Sequence, residues 1–386
     1  MNLTRTGYGT WNGGRYMNFG EAIDEARFES CIRHAYDQGI RTFMTADVYG
    51  NGAADEAIGR ALAGLPRDTY CLVGIIGHDF NAPREGQKGF PRFTDPRLRQ
   101  PRDFPDYVKW ATENSLKRCG TDHFDCLMLH NPDSIGYSQD AVWKAMARVQ
   151  EEKMTEFLGV APGPANGFTL DLILCMERFG PLLDWAMIIL NPLEPWPGQM
   201  ALGAAQQNDV SIITRVVDYG GIFHDDVKPG HTFGPRDHRT FRPAGWVDAG
   251  NAKLEKMRPV AEKYGLTPLQ LACVWNLSQA PVKSVIPTMI QEGPQTNGIT
   301  PKTIEQKIDE LAALPHVTLT ADEIEQLAQI GQNKNCMELK GGNPGHTGEP
   351  MPDRWSLNPE LLDVAARWKI EPERDLACTH TATAAA

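Results

Sequence analysis

Between residues 26 and 290, short apolar runs alternate with stretches whose apolar positions recur every three to four residues. The first kind reads as strand and the second as amphipathic helix. Strands are expected at 39–45, 69–76 (TYCLVGII), 124–130 (FDCLMLH), 155–160, 185–190, 211–217 and 282–287. Helices are expected at 26–38, 54–65, 106–119, 141–152, 170–179, 199–208, 251–264, 268–279 and 302–314. The helix over 26–38 stops at Gly39, a residue that adopts a left-handed C-terminal cap at little cost. Near-continuous apolar strands separated by helices imply a parallel sheet covered on both faces. About eight such units over roughly 300 residues favour a closed (β/α)8 TIM barrel, although periodicity alone leaves an open, doubly wound sheet possible.

Two segments interrupt the alternation. Residues 78–105 follow the third strand and are rich in Pro, Gly and Arg; residues 224–246 follow the seventh and are rich in His, Asp, Arg and Pro. Long loops at the C-terminal ends of barrel strands form the rim of an active site, with surface decoration as the alternative. The barrel is expected to occupy residues 1–330 as one domain, followed by an irregular C-terminal extension over 331–386. Within that extension 341–352 is rich in Gly and Pro, 359–368 has the pattern of a short helix, and 380–386 reads as a frayed tail.

The chain has 386 residues and a formal net charge of −11. That acidity argues against nucleic acid and anionic membranes as partners. No apolar run approaches the roughly 20 residues that span a bilayer, and MNLTRTGYGTW has no apolar signal-peptide core, so a cytoplasmic protein is expected. The eight cysteines show no CxxC spacing and several lie in apolar runs, as Cys126 and Cys273 do; they read as small buried hydrophobes in a reducing compartment, not as disulfides or zinc ligands. A small-molecule substrate is the expected partner. An oligomer is left open, since the long loops could equally form a subunit interface.

Several segments resemble a known family. GIRTFMTADVYGNGAADEAIG (39–59) is similar to the second strand and loop of the aldo-keto reductases, with Tyr49 on the catalytic Tyr and Glu56 on the loop acid. Gly7-Tyr8-Gly9-Thr10-Trp11 resembles the family's opening turn, and Leu129-His130-Asn131-Pro132 the fourth-strand motif that carries a catalytic His. VSIITRVVDYGGIF (210–223) and the run 254–287 resemble the seventh strand and the closing helix, strand and cofactor turn. Five pieces in the family's order, over most of residues 5–330, imply its barrel. They also imply its chemistry: hydride from a nicotinamide reduces a carbonyl, Tyr donates the proton, Lys lowers the Tyr pKa, Asp supports the Lys and His orients the substrate.

The same alignment shows departures. Met44 stands at the position of the Asp, and Ile75, within one residue, at that of the Lys. Loss of both is coherent, because one buried charge without its partner is costly. The Ser-Asn pair and the Gln that would hold the nicotinamide carboxamide are replaced by Ala161-Pro162 and Met187, and the Gly of the I-P-G turn by Thr288. Asp309-Glu310 stand where the adenine-reading Glu-Asn pair is expected. These changes leave the cofactor undetermined. NADPH stays possible, with Arg215 and Lys302 as its candidate contacts.

The strand ends offer a cup of acids, histidines and aromatics suited to a polar, ring-shaped ligand such as a sugar. Catalytic candidates are Tyr49, His130, His78 and Asp47; substrate-binding candidates are Trp11, Asn131, Glu194, Trp196 and Tyr219. For Trp11 and Trp196 rim packing is the alternative, and for His78 a backbone-bonded loop histidine. The leading expectation is acid–base chemistry without hydride transfer on a polar carbonyl or carbohydrate-like molecule: elimination, dehydration or isomerisation, a lyase-type reaction. In it His130 would act as acid or base near neutral pH and Tyr49 would donate to a developing oxyanion. The runner-up is an NAD(P)H-dependent carbonyl reductase with altered cofactor contacts; a non-catalytic binding protein is a third possibility. A metal held by Asp47, His78, Asp79 and His130 lacks the spacing of known ligand motifs, and no metal is expected. His224-Asp225-Asp226 and Asp237-His238 read as solvated loop charges.

Overall fold

A computed structural model describes residues 3–82, 89–163, 168–242, 244–334 and 357–376. Eight strands, β1 (Gly7–Gly9), β2 (Thr42–Ala46), β3 (Cys71–Ile76), β4 (Phe124–His130), β5 (Thr155–Ala161), β6 (Trp185–Ile189), β7 (Ser211–Arg215) and β8 (Val282–Ile286), pair in sequence order and in parallel. Val285 pairs in parallel with Thr6, just before β1, which brings the last strand back to the first. The architecture is a (β/α)8 barrel, with long segments after β3 and β7.

Strand side chains alternate between two cores because the pleat has a period of two. Cys71, Val73 and Ile75 of β3 join Met44, Met128, Met187, Ile213 and Ile286 in a cluster inside the barrel. Leu72 and Ile76 of the same strand face outward, into the larger core shared with the helices. Each such side chain, fully buried, contributes about 1.5–3 kcal/mol. The six described cysteines are buried and unbridged.

The helices have chemically defined starts. Asp24 caps α1 (Glu25–Asp37) by accepting from the Arg27 amide at 2.8 Å. In TPLQ, Thr267 and Gln270 form a capping box with Pro268 in the first turn of the helix Pro268–Leu277. The helix Trp246–Lys263 begins five residues before its expected start at 251, because residues 246–250 continue its buried face through Trp246, Val247 and Gly250. The helix Ala321–Gly331, between the expected helices over 302–314 and 359–368, was not expected; its signal is the capping box of Thr320 and Glu323 in TADE. No described helix is long and apolar enough to cross a membrane.

In the extension, the helix Pro359–Arg367 is described and docks on the barrel's outer layer, where Trp368 donates to Glu177 at 2.7 Å. The segments 341–352 and 380–386 lie outside the described residues.

Close packing explains one glycine of the family-like motif. In α2 (Ala53–Leu62), a Cβ on Gly59 would stand 2.6 Å from the Arg118 carbonyl oxygen, at the end of α3 (Phe104–Cys119). Backbone cannot yield as a side-chain tip can. Gly59→Ala is therefore expected to destabilise the barrel by about 1–3 kcal/mol, read as a lower urea midpoint at unchanged slope.

Candidate active site

A cavity of about 440 Å³ opens at the C-terminal ends of the strands. Met44, Met187 and Ile286 of the barrel interior line its base. Of the residues singled out in the sequence, Trp11, Tyr49, His78, His130, Asn131 and Arg215 all line it. They come from the ends of β1, β2, β3, β4 and β7, so only closure of the sheet brings them together. The Tyr49 and His130 rings stand edge to face at 5.6 Å, as do His78 and His130 at 5.0 Å, and Trp11 lies 4.2 Å from Tyr49. Both long loops contribute to the wall, Phe90 from the one after β3 and Arg242 from the one after β7.

The loop that carries Tyr49 is held from behind. Asp55 is fully buried and accepts from Thr45 at 2.8 Å, Ser115 at 2.8 Å and Arg118 at 2.9 Å. Glu56, the expected loop acid, is instead exposed and only 3.8 Å from Arg60. Asp55 is thus the acid that anchors this turn. Backbone strain collects at the same rim: Asn131, Val216 and Tyr219 have φ of 44°, 57° and 48°. For β-branched Val216 such a conformation costs on the order of 1–3 kcal/mol.

Burial sets the protonation states. It lifts the Tyr49 hydroxyl to about 12, against the pull of Arg215, so the phenol stays protonated. It pushes His130 well below the usual imidazole range, helped by His78, Arg215 and Arg92, so this ring is neutral. His78 falls to about 4 through burial and Arg92. Its Nδ1 donates to the Phe90 carbonyl at 3.3 Å, and its Nε2 accepts from Asn131 at 3.1 Å. With both nitrogens committed, His78 orients Asn131 and is not placed to exchange a proton. The Nδ1 of His130, by contrast, has no partner among the described residues.

Other sequence candidates do not line the cavity. Asp47 is buried beside Asp55, which together with burial raises its carboxyl well above the usual range. Trp196 donates to the Asp375 carbonyl at 2.6 Å and so ties the extension to the barrel. Tyr219 lies beneath the Arg242 guanidinium, 4.5 Å from its ring centre. Lys302 pairs with Glu310 at 2.7 Å, and Asp309 with His34 at 2.7 Å. Asp47, His78, Asp79 and His130 form no metal-binding group among the described residues. Of the loop charges expected to be solvated, Asp225 and His238 are partly exposed, but His224, Asp226 and Asp237 are buried: His224 donates to the Thr288 carbonyl, Asp226 pairs with Lys307 at 2.6 Å, and Asp237 with Glu292 holds Arg239.

Glu194 is buried behind the wall, and burial lifts its carboxyl to about 7 against the attraction of Arg242 and Arg215. The folded state therefore keeps a proton that the unfolded chain releases at about 4.3. Stability gained this way is complete below about pH 4 and is lost as pH rises through 7. Glu194→Gln is expected to flatten the pH dependence of stability between about pH 4 and 8, measured by urea unfolding across that range.

Sequence reasoning missed Arg242 and the N-terminal wall of Tyr16, Met17 and Phe19, while Asp218, read with Arg215 and Tyr219 as a polar group at the end of the seventh strand, does line the cavity. Arg242 had a signal: an arginine with Trp246 one turn of chain away, whose ring centre lies 4.6 Å from its guanidinium.

The Aldo/keto reductase family model matches residues 5–332 of this chain. The chain belongs to the aldo/keto reductase family. A probable voltage-gated potassium channel subunit beta from Arabidopsis thaliana is 24% identical over 348 residues, covering 85% of this chain and 96% of that protein. The 6-dehydroglucose reductase of Agrobacterium fabrum is 31% identical over 137 residues, 35% of this chain and 42% of its own length. Among solved structures, the glycerol dehydrogenase of Gluconobacter oxydans superposes with a TM-score of 0.65 at 20% identity, over 92% of this chain and 96% of that one.

Proposed function

We propose that the chain is an oxidoreductase that interconverts a carbonyl and an alcohol on a polar, carbohydrate-like small molecule. This places the runner-up of the sequence reading ahead of lyase-type chemistry. The observation that carries it is the Tyr49–His130 pair, 5.6 Å apart between ring centres, at the wall of a cavity in a barrel of this family. The name of the Agrobacterium relative supports a sugar-like substrate. In this reading Tyr49 gives a proton to the substrate oxygen on reduction and takes it back on oxidation. Neutral His130 donates a hydrogen bond to the same oxygen. Arg215 favours the Tyr49 phenolate, the service that the resemblance assigns to a lysine at the position of Ile75.

A nicotinamide, when bound, supplies or accepts the hydride. The residues suit its two ends unequally. Beside Tyr49 and His130 the cavity has room for the ring and its ribose, walled by Pro162, Met187 and Ile286. The corner between the β7 and β8 segments, where an adenine end would continue, is filled by His224, Lys307, Asp226, Arg239 and Glu292, all at most 4% exposed. Gly221 already donates its amide to Asp218.

A second reading, acid–base chemistry without hydride transfer, is favoured by Met44 and Ile75. Both stand in the apolar interior, at the positions the resemblance gives to the Asp–Lys pair. Here Tyr49 would donate to an enolate oxygen and His130 would move the adjacent proton. One experiment separates the two. The protein is incubated with aldoses, uronates and keto-sugars, with and without NADPH or NADH, while nicotinamide absorbance and sugar NMR are followed. Substrate-dependent change in the nicotinamide supports the oxidoreductase. New sugar products without it would sink that reading in favour of elimination or isomerisation.

A further inference from the structure

Asn131 stands just past the end of β4, next to His130, and its backbone is held on both sides. Its N–H donates to the Ala161 carbonyl at 2.8 Å, and its carbonyl accepts from Arg92 Nε at 2.8 Å. Its φ of 44° lies in the left-handed region, which asparagine enters more readily than most residues with a Cβ. Glycine would serve that backbone at least as well. The backbone therefore leaves the setting of the side chain unexplained.

Hydrogen bonding fixes that setting. A carbonyl only accepts, so the contact of His78 Nδ1 with the Phe90 carbonyl at 3.3 Å puts the imidazole proton on Nδ1. His78 is neutral at pH 7, since burial lowers it to about 4, and its Nε2 then carries a lone pair. That nitrogen lies 3.1 Å from Asn131 Nδ2. The flipped amide would set two lone pairs against each other, so the NH2 end faces His78. Oδ1 faces the other way, over Gly163, where a Cβ would stand 2.2 Å from it. Asn131 is partly exposed and lines the cavity, and no described residue donates to its Oδ1.

We infer that Asn131 determines specificity: its fixed Oδ1 accepts a hydrogen bond from a substrate hydroxyl on the carbon beside the reacting carbonyl. His78 is the positioning residue that keeps this oxygen turned away from itself and available to a ligand. Asn131 directly follows His130, which bonds the reacting oxygen, and the His78 ring that holds its amide is 5.0 Å from the His130 ring. The two contacts therefore fall on one small molecule. An acceptor left unpaired in a closed site costs affinity, so a ligand without the hydroxyl is rejected. The substrate class is then an α-hydroxy carbonyl, as in aldoses and ketoses, or the vicinal diol that corresponds to it. The NH2 of a nicotinamide carboxamide is the other source of such a donor, and titration separates the two. This inference rests on the cavity being the substrate site but not on which reaction occurs there.

Calorimetric titration of the full chain tests it with glucose, glyceraldehyde, dihydroxyacetone and NADPH. Each of the first three is paired with a compound that lacks the hydroxyl beside the carbonyl: 2-deoxyglucose, 3-hydroxypropanal and acetone. At least one hydroxylated member is expected to bind about tenfold or more tightly than its partner. Asn131→Gly keeps the backbone conformation and should abolish that preference, with affinity for the partner compound and for NADPH unchanged. His78→Phe frees the amide to turn and should weaken the preference. It should leave the affinities of Asn131→Gly as they are, whereas a merely structural role of His78 would lower them further. The wild-type comparison needs no variant, so it holds even if a variant folds poorly. Equal affinity within every pair would overturn the assignment, as would absence of binding by all six compounds. So would a preference that survives Asn131→Gly while NADPH weakens about tenfold, which would give Oδ1 to the carboxamide. A hydroxyl preference in a protein that leaves nicotinamide unchanged removes the oxidoreductase reading and keeps the role of Asn131.

Discussion

Tyr49→Phe is expected to lower turnover by about 10²–10⁴-fold, the range for loss of a positioned proton donor, with little change in substrate affinity. The fold should survive, because the ring keeps its place 4.2 Å from Trp11 and loses only a hydroxyl. A melting curve within a few degrees of wild type would confirm that. The pH profile adds a second readout. With the Tyr49 hydroxyl at about 12 and His130 neutral by burial, neither group changes charge between about pH 6 and 10. Wild-type turnover in the reductive direction should therefore lack a bell shape with limbs from this pair. Arg215→Met should slow turnover in both directions, because Tyr49 ends as a phenolate when it gives up its proton in reduction and must start as one in oxidation. If Tyr49→Phe retained turnover within about threefold, neither the oxidoreductase nor the acid–base reading of this pair would stand.

The barrel was legible because its strands are apolar on both faces and its helices carry apolar positions at a period of three to four, with caps such as Asp24 and Thr267 marking the start of some of them. Seven strand positions read from FDCLMLH-like runs agree with the structure to within a few residues, whereas three-residue β1 (Gly7–Gly9) is too short to leave a periodic signal. The site was only partly legible. Tyr49, His130 and Asn131 sit in local motifs that carry a resemblance, and all three line the cavity. Asp47 was read from its nearness to Tyr49 in sequence, but the strand end turns its carboxylate toward Asp55 and the outer helices. Period two decides such matters, and it cannot be applied once the strand gives way to the turn at Ala46. Glu194 and Trp196 were placed correctly after β6 but turned the other way. Arg242 belongs to a segment with no period at all, and its place is set by stacking on nearby Trp246 and on Tyr219 from another stretch of chain. The spacing to Trp246 was a local signal, but the contact with Tyr219 that completes its placement comes only with the tertiary structure.

The largest effect on stability is expected at the ion cluster that packs the β7 loop against the segment after β8. Arg239 is 1% exposed and binds Asp237 at 2.8 Å, Glu292 at 3.0 Å and the Gly220 carbonyl at 3.0 Å. Asp237 in turn accepts from the Gly20 amide at 2.7 Å, and Glu292 lies 3.2 Å from His231, so four stretches of chain meet here. Replacing Arg239 with Met keeps most of its volume but leaves two buried carboxylates without their cation. Breaking a buried pair in this way costs about 3–5 kcal/mol, far more than the pair adds relative to an apolar core. Adding Glu292→Gln should therefore recover part of the loss, and that recovery separates uncompensated charge from poor packing. The sign with pH follows from the same contacts. Arg239 holds the Glu292 carboxyl far below its usual range, so its contribution is complete above about 4.3, the unfolded value, and fades as pH falls below it. Wild type should lose stability in that acid window while Arg239→Met, having lost the contact already, should lose less. Urea unfolding from pH 3 to 7 measures both. A loss under about 1 kcal/mol in Arg239→Met would mean that water reaches the cluster, and that the corner beyond Gly220 is open to a ligand.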